Sequence, residues 1–142
     1  MHTVKNIVLS AMLMCALSAC STSPVPVSDA KPSSKVYAFQ INPAGPYGSL
    51  TIVRDSGFVS SGCDMAIYID GQLAAKLATK EKATFKIPAG EVVVGAGVIG
   101  SGLCGTAAQR REREVTIQAG QSKRYRVFTS SEADVDLLPT TL

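Results

Sequence analysis

Along most of the chain, apolar residues recur at every second position, the period of a strand with one face on a core. Lys82 to Ile87 shows it plainly: Ala83, Phe85 and Ile87 share one face, Lys82, Thr84 and Lys86 the other. Met65, Ile67 and Ile69 alternate with Ala66 and Tyr68, and the same beat runs through Glu114–Gln118 and Arg124–Val127. Val36–Ile41, Leu50–Arg54, Leu73–Leu77 and Glu91–Val98 read as strands too, with turn signals at Asp70-Gly71, Pro88-Ala89-Gly90 and Ala119-Gly120. The pattern predicts an all-β fold, a small antiparallel β-sandwich of about 7–8 short strands.

Matching the apolar faces of successive strands sets the expected hairpins, because a slip of one residue swaps faces. Facing Met65, Ile67 and Ile69 with Leu77, Ala75 and Leu73 predicts a three-residue loop, Asp70-Gly71-Gln72. Facing Ile87 with Val92 predicts a turn over Pro88–Glu91. Facing Val115 with Tyr125 predicts a last hairpin centred on Gly120, with Glu114 opposite Arg126 on its outer side.

The first residues break the pattern. Lys5 precedes an apolar run, Ile7 to Leu17, of signal-peptide length and too short for a membrane span of about 20 residues. Leu17-Ser18-Ala19-Cys20 closes it and resembles a bacterial lipobox, in which the chain is cut before the cysteine and the thiol takes a diacylglycerol. An ordinary secretory leader cut elsewhere is the plainer alternative. Ser21 stands where lipoproteins retained at the inner membrane usually carry Asp, so the resemblance implies the outer membrane, with the domain facing the periplasm. The next stretch, rich in Ser and Pro, reads as an extended tether. The expected organisation is a signal peptide over 1–19, a lipidated flexible linker over 20–34, a β-sandwich domain over 35–130 and a C-terminal tail over 131–142.

Composition narrows the chemistry. The 142 residues carry a net charge of +3, too little to imply nucleic acid. The single histidine is His2, in the leader, so the mature chain lacks the imidazole of Ser-His or Cys-His catalysis and of most metal sites. Neither a cofactor, a metal nor a small-molecule substrate is expected. Asp55, Asp64 and Asp70 are the acids that would have to meet for a carboxylate-pair enzyme, but beside Gly and Ser such residues read first as turn formers. Four cysteines divide cleanly. Cys15 lies in the leader and Cys20 is the lipid site, which leaves Cys63 and Cys104 as a disulfide in an exported domain. Two free thiols or an intermolecular bond are the alternatives.

Val92–Gly100 contains G-x-G-x-x-G at Gly95, Gly97 and Gly100, which resembles the opening of a dinucleotide-binding oxidoreductase. Against that reading, Gln118 replaces the expected ribose-binding acid, and 42 residues after Gly100 are too few for the rest of such a sheet. A strand running into a glycine-rich loop is the alternative. Lys123, Arg124 and Arg126 concentrate positive charge with Arg110, Arg111 and Arg113, and are read as a face for an envelope protein or anionic lipid, or as a plain solvated surface.

The turns Tyr68-Ile69-Asp70-Gly71, Pro88-Ala89-Gly90-Glu91 and Ala119-Gly120-Gln121, the last running on to Arg124-Tyr125, resemble those of an uncharacterised family of small bacterial envelope lipoproteins. The resemblance implies a β-sandwich and lends no activity. The expected function is therefore that of a lipid-anchored, non-catalytic binding or structural module, held to the membrane through Cys20. A lipoprotein of a secretion or conjugation apparatus is the sharper alternative, and a dinucleotide-binding fragment the third.

Overall fold

The computed structural model describes residues 21–105 and 110–142. Within them the alternating segments become strands β1 (Lys31–Pro32), β2 (Tyr47–Arg54), β3 (Asp64–Ile69), β4 (Gln72–Leu77), β5 (Glu81–Pro88), β6 (Gly90–Ile99), β7 (Arg111–Ile117), β8 (Ser122–Thr129) and β9 (Val135–Pro139). They form two sheets, ordered β1-β5-β2-β8-β9 and β4-β3-β6-β7. The architecture is the expected small β-sandwich. Most neighbours are antiparallel, but β2 runs parallel to β8, and β1 to β5.

The period-two pattern places the core. Ala83, Phe85 and Ile87 of β5 are buried together, as their spacing predicts, with Leu50 and Ile52 of β2 beside them. Met65, Ile67 and Ile69 of β3 and Val92, Val94 and Ala96 of β6 supply the facing layer. One hydrophobic cluster joins both sheets. Alternation thus turns each strand's apolar side inward, and burial of those side chains drives the two layers together.

The connections differ from expectation in an instructive way. Ile87 lies beside Gly48 and Val92 beside Val115, so Pro88-Ala89-Gly90 carries the chain between sheets instead of closing a hairpin. Likewise Val115 pairs with Val92 and Tyr125 with Ile52, so β7 and β8 lie in different sheets and Glu114 faces Val93, not Arg126. Two strands with inward apolar faces satisfy the same pattern side by side or across a core, and periodicity does not separate the cases. The β3–β4 hairpin is real, with Met65 against Leu77 and Ile67 against Ala75. Its loop, however, is the two residues Asp70-Gly71, both at positive φ, as a type I′ turn requires. Ile69 therefore meets Gln72, and a bulge at Ala74 restores the register.

The boundaries also move. Residues 21–34 are not a free tether, because Val25 and Ala30 are buried against Val53 on the outer side of β2, and β1 pairs with β5. The Lys82 ammonium donates to the Val27 carbonyl. Residues 131–142 are not a tail, because β9 pairs with β8 and buries Val135 and Leu137. Val36–Ile41 is no strand. Tyr37 N–H donates to Ala74 on one sheet while Phe39 C=O accepts from Lys86 on the other, so this segment closes the side of the sandwich.

Candidate functional site

The chain after Cys20 is fixed almost at once. Thr22 N–H donates to the Thr129 carbonyl at 3.1 Å, and Thr129 N–H donates to the Thr22 hydroxyl at 2.9 Å. Ser23 and Ser56 then exchange backbone bonds of 2.7 and 2.9 Å. Cys20 itself, the predicted lipid site, lies outside the described residues. The corner that receives its neighbour is built from the ends of β2 and β8, which leave the sandwich together because they run parallel.

At that corner Asp55 is fully buried. Its Oδ2 accepts the guanidinium of Arg126 and, at 3.3 Å, the Thr22 hydroxyl, while Oδ1 has no partner. Burial pushes the Asp55 carboxyl above the ordinary aspartate range, against the opposing pull of Arg126 and Thr22. Arg54, one residue earlier, turns inward. Its guanidinium donates to the carbonyls of Ser60, Cys63 and Leu77, and burial lowers its pKa. It thereby holds the β2–β3 loop from beneath. A second hold is covalent: Cys63 and Cys104 are joined, with their Cα atoms 5.6 Å apart across 41 residues of sequence. The pairing expected from the cysteine count is the one the fold makes.

The other sequence candidates fare differently. Lys123, Arg124 and Arg126 do not form one free basic face. The register sets Lys123 on the side of Leu50 and Tyr125, Arg124 is exposed on the outer side, and Arg126 is the counterion of Asp55. Arg113, on the other sheet, is engaged by a two-pronged bond to Asp136, Nε donating to Oδ1 at 3.1 Å and Nη2 to Oδ2 at 2.8 Å. The three acids do not converge. Asp55 pairs with Arg126 and Asp64 with Lys35 at 2.7 Å, while Asp70, past the far end of β3, caps the Val93 N–H. Among the described residues, no cluster of His, Cys, Asp or Glu could hold a metal ion, and no helix is long and apolar enough to cross a membrane.

The glycine motif has a packing role. Gly95 and Gly97 lie inside β6, antiparallel to β7, so among the described residues the strand–turn–helix that cradles a pyrophosphate is not formed. A Cβ on Gly97 would sit 3.3 Å from the Arg110 Cα. The bare outer surface there lets Arg110 cross the sheet and lay its guanidinium over the Tyr68 ring, 4.4 Å from the centroid.

Two residues were missed by periodicity. Phe58 and Leu103 are each 90% exposed, on the two loops that the disulfide joins. Arg54 left a sequence signal, as the one charge on the inward face of Leu50 and Ile52; Phe58 left none, since an isolated aromatic in a loop has no period. Compared with protein-family models and with curated proteins, the chain matches none.

Proposed function

We propose that the chain is an exported lipoprotein, held by a diacylglycerol on Cys20 to the periplasmic side of the outer membrane, and that it works there as a non-catalytic binding or structural module. The observation that carries this reading is the division of the cysteines. Cys63 and Cys104 take each other, so the Cys20 thiol, set behind the small residues Ser18 and Ala19, is left for another chemistry. A disulfide closing 41 residues also suits an oxidising compartment. The non-catalytic part is supported by the acids, each occupied by a structural contact instead of facing another across a cleft. The outer-membrane address rests on Ser21 following the cysteine.

Mass spectrometry of the mature chain tests the reading. An acylated peptide beginning at Cys20 is expected, and Cys20→Ala should accumulate as uncut precursor. An unmodified N-terminus at any other residue overturns it.

A further inference from the structure

We infer that the end of the sandwich where the chain enters is a membrane-contacting surface, with Phe58 and Leu103 seated in the polar–apolar interface of the bilayer that holds the Cys20 lipid. The inference rests on the lipid-anchor reading and adds to it the orientation of the domain and the residues that touch lipid.

The argument begins with reach. Thr22 is pinned to Thr129 and Ser23 to Ser56, so only Ser21 separates Cys20 from fixed backbone. Two Cα steps of about 3.8 Å each allow at most about 8 Å between the Cα atoms of Cys20 and Thr22. A lipid on Cys20 therefore brings this end of the domain against the headgroups, where a free tether would have let it stand off.

What lies at that end suits the interface. Gly57 touches Thr22 so closely that a Cβ there would sit 2.8 Å from the Thr22 Cγ2, which places the neighbouring Phe58 beside the anchor. From Gly57 to Cys63 and from Gly100 to Gly105 neither loop carries a charge; apart from Phe58, Val59 and Leu103 they are Gly, Ser and Cys. Both loops belong to one end of the sandwich, at the end of β2 and the end of β6, and the Cys63–Cys104 bond ties them. Arg54 fixes the first loop through the Ser60 and Cys63 carbonyls, so Phe58 is held out on a braced support. Phe58 and Leu103, on segments without charge over 57–63 and 100–105, are the kind of side chain that gains from burial at the headgroup–acyl boundary, while the Lys35–Asp64 pair and exposed Lys80 of the same end stay at headgroup level. Glu132 and Asp134, exposed on the β8–β9 loop of the same end, would be repelled by lipid phosphates. They limit insertion to the two apolar tips.

The chain has no tryptophan, so a single introduced indole reports its own surroundings. The test uses the mature acylated protein in vesicles of phosphatidylethanolamine and phosphatidylglycerol, with Phe58→Trp and Leu103→Trp as separate reporters. Ile41→Trp is the control: Ile41 is 86% exposed but lies on the way from Phe39 to Pro46, which bonds Ala89 at the opposite end. Emission shifted to shorter wavelength, and quenching by lipids brominated near the glycerol, are expected for the first two and not for the third. If Cys20 is acylated and Phe58→Trp stays unshifted and unquenched, the membrane contact is overturned while the anchor stands. If Cys20 carries no lipid, the anchor reading fails and this inference falls with it. Shielding of Phe58→Trp from a water-soluble quencher in whole envelopes but not in vesicles would assign the patch to a protein and overturn the lipid contact.

Discussion

Asp55 shows how little a residue's type reveals before its surroundings are known. An aspartate beside Ser and Gly reads as a turn former, yet here it is a buried carboxyl with Arg126 as counterion. Removing one partner of such a pair strands a charge, so Arg126→Met should cost about 2–3 kcal/mol in urea unfolding. Asp55→Asn removes the charge that burial penalises and leaves Arg126, whose side chain is partly exposed, with water and the amide oxygen as acceptors, so it should change stability at neutral pH by less than about 1 kcal/mol. The two aspartates with shifted pKa values act in opposite senses with pH. Because Asp55 is raised in the folded chain, its contribution favours folding below the unfolded aspartate pKa and is lost as pH rises through the folded value. For Asp136, burial opposes ionisation, but the Arg113 bonds, the Leu137 N–H and the arginine charges outweigh it and lower the pKa. Its contribution is present above the unfolded pKa and is lost as pH falls through the folded one. Unfolding midpoints at neutral pH and on the acid side should therefore lie closer together in Asp136→Asn than in the natural chain, and further apart in Asp55→Asn.

At the scale of elements, most of the longer strands were legible, β1 and β9 were not, and the partners of the strands were not. Phe85 and its neighbours announced a buried face, but Ile87 and Val92 face inward equally well in a hairpin or in a link between sheets. What selects the link is three-dimensional, and Gly48 marks the place where the β7–β8 link crosses β2. A Cβ there would meet the carbonyl oxygens of Gln121 and Gln118 at 2.6 and 2.7 Å. Since backbone cannot swing aside as a long side chain does, Gly48→Ala should cost about 1–3 kcal/mol, read from the thermal midpoint. The disulfide is the other device at this scale. Reduction, or Cys63→Ser with Cys104→Ser, should lower stability by up to about 4 kcal/mol on the chain-entropy account while leaving the strand content unchanged by circular dichroism. Loss of the sheets on reduction would mean that the core cannot hold them alone.

At the scale of the whole molecule, the N-terminal arm decides where the folded unit starts. A soluble domain cut at Lys35 lacks the cover that Val25 and Ala30 give to Val53, and also lacks β1 on the edge of β5. It should be less stable than one starting at Ser21 by at least about 2 kcal/mol, and comparing the thermal midpoints of the two fragments checks this. Equal midpoints would return residues 21–34 to the role of a loose tether. The arm's composition hid its packing: Ser and Pro carry no period, and a two-residue strand such as β1 is too short to show one.

Local chemistry was enough to write much of this protein into its sequence. Alternation determined the all-β class and the core members of the longer strands, because a strand turns every second side chain inward whatever its neighbours are; Val135 and Leu137 of β9 lay in a segment expected to be a tail. Counting pointed to Cys63 and Cys104 as a pair but left free thiols and an intermolecular bond open, and the fold joined the two within one chain. The tertiary structure decided which inward faces lie side by side and which meet across the core. It also decided that Arg126 is the counterion of Asp55, and that the loops bearing Phe58 and Leu103 share one end with the start of the arm. Those are contacts between residues far apart along the chain, set by how two twisted sheets fit together, and no local period encodes them.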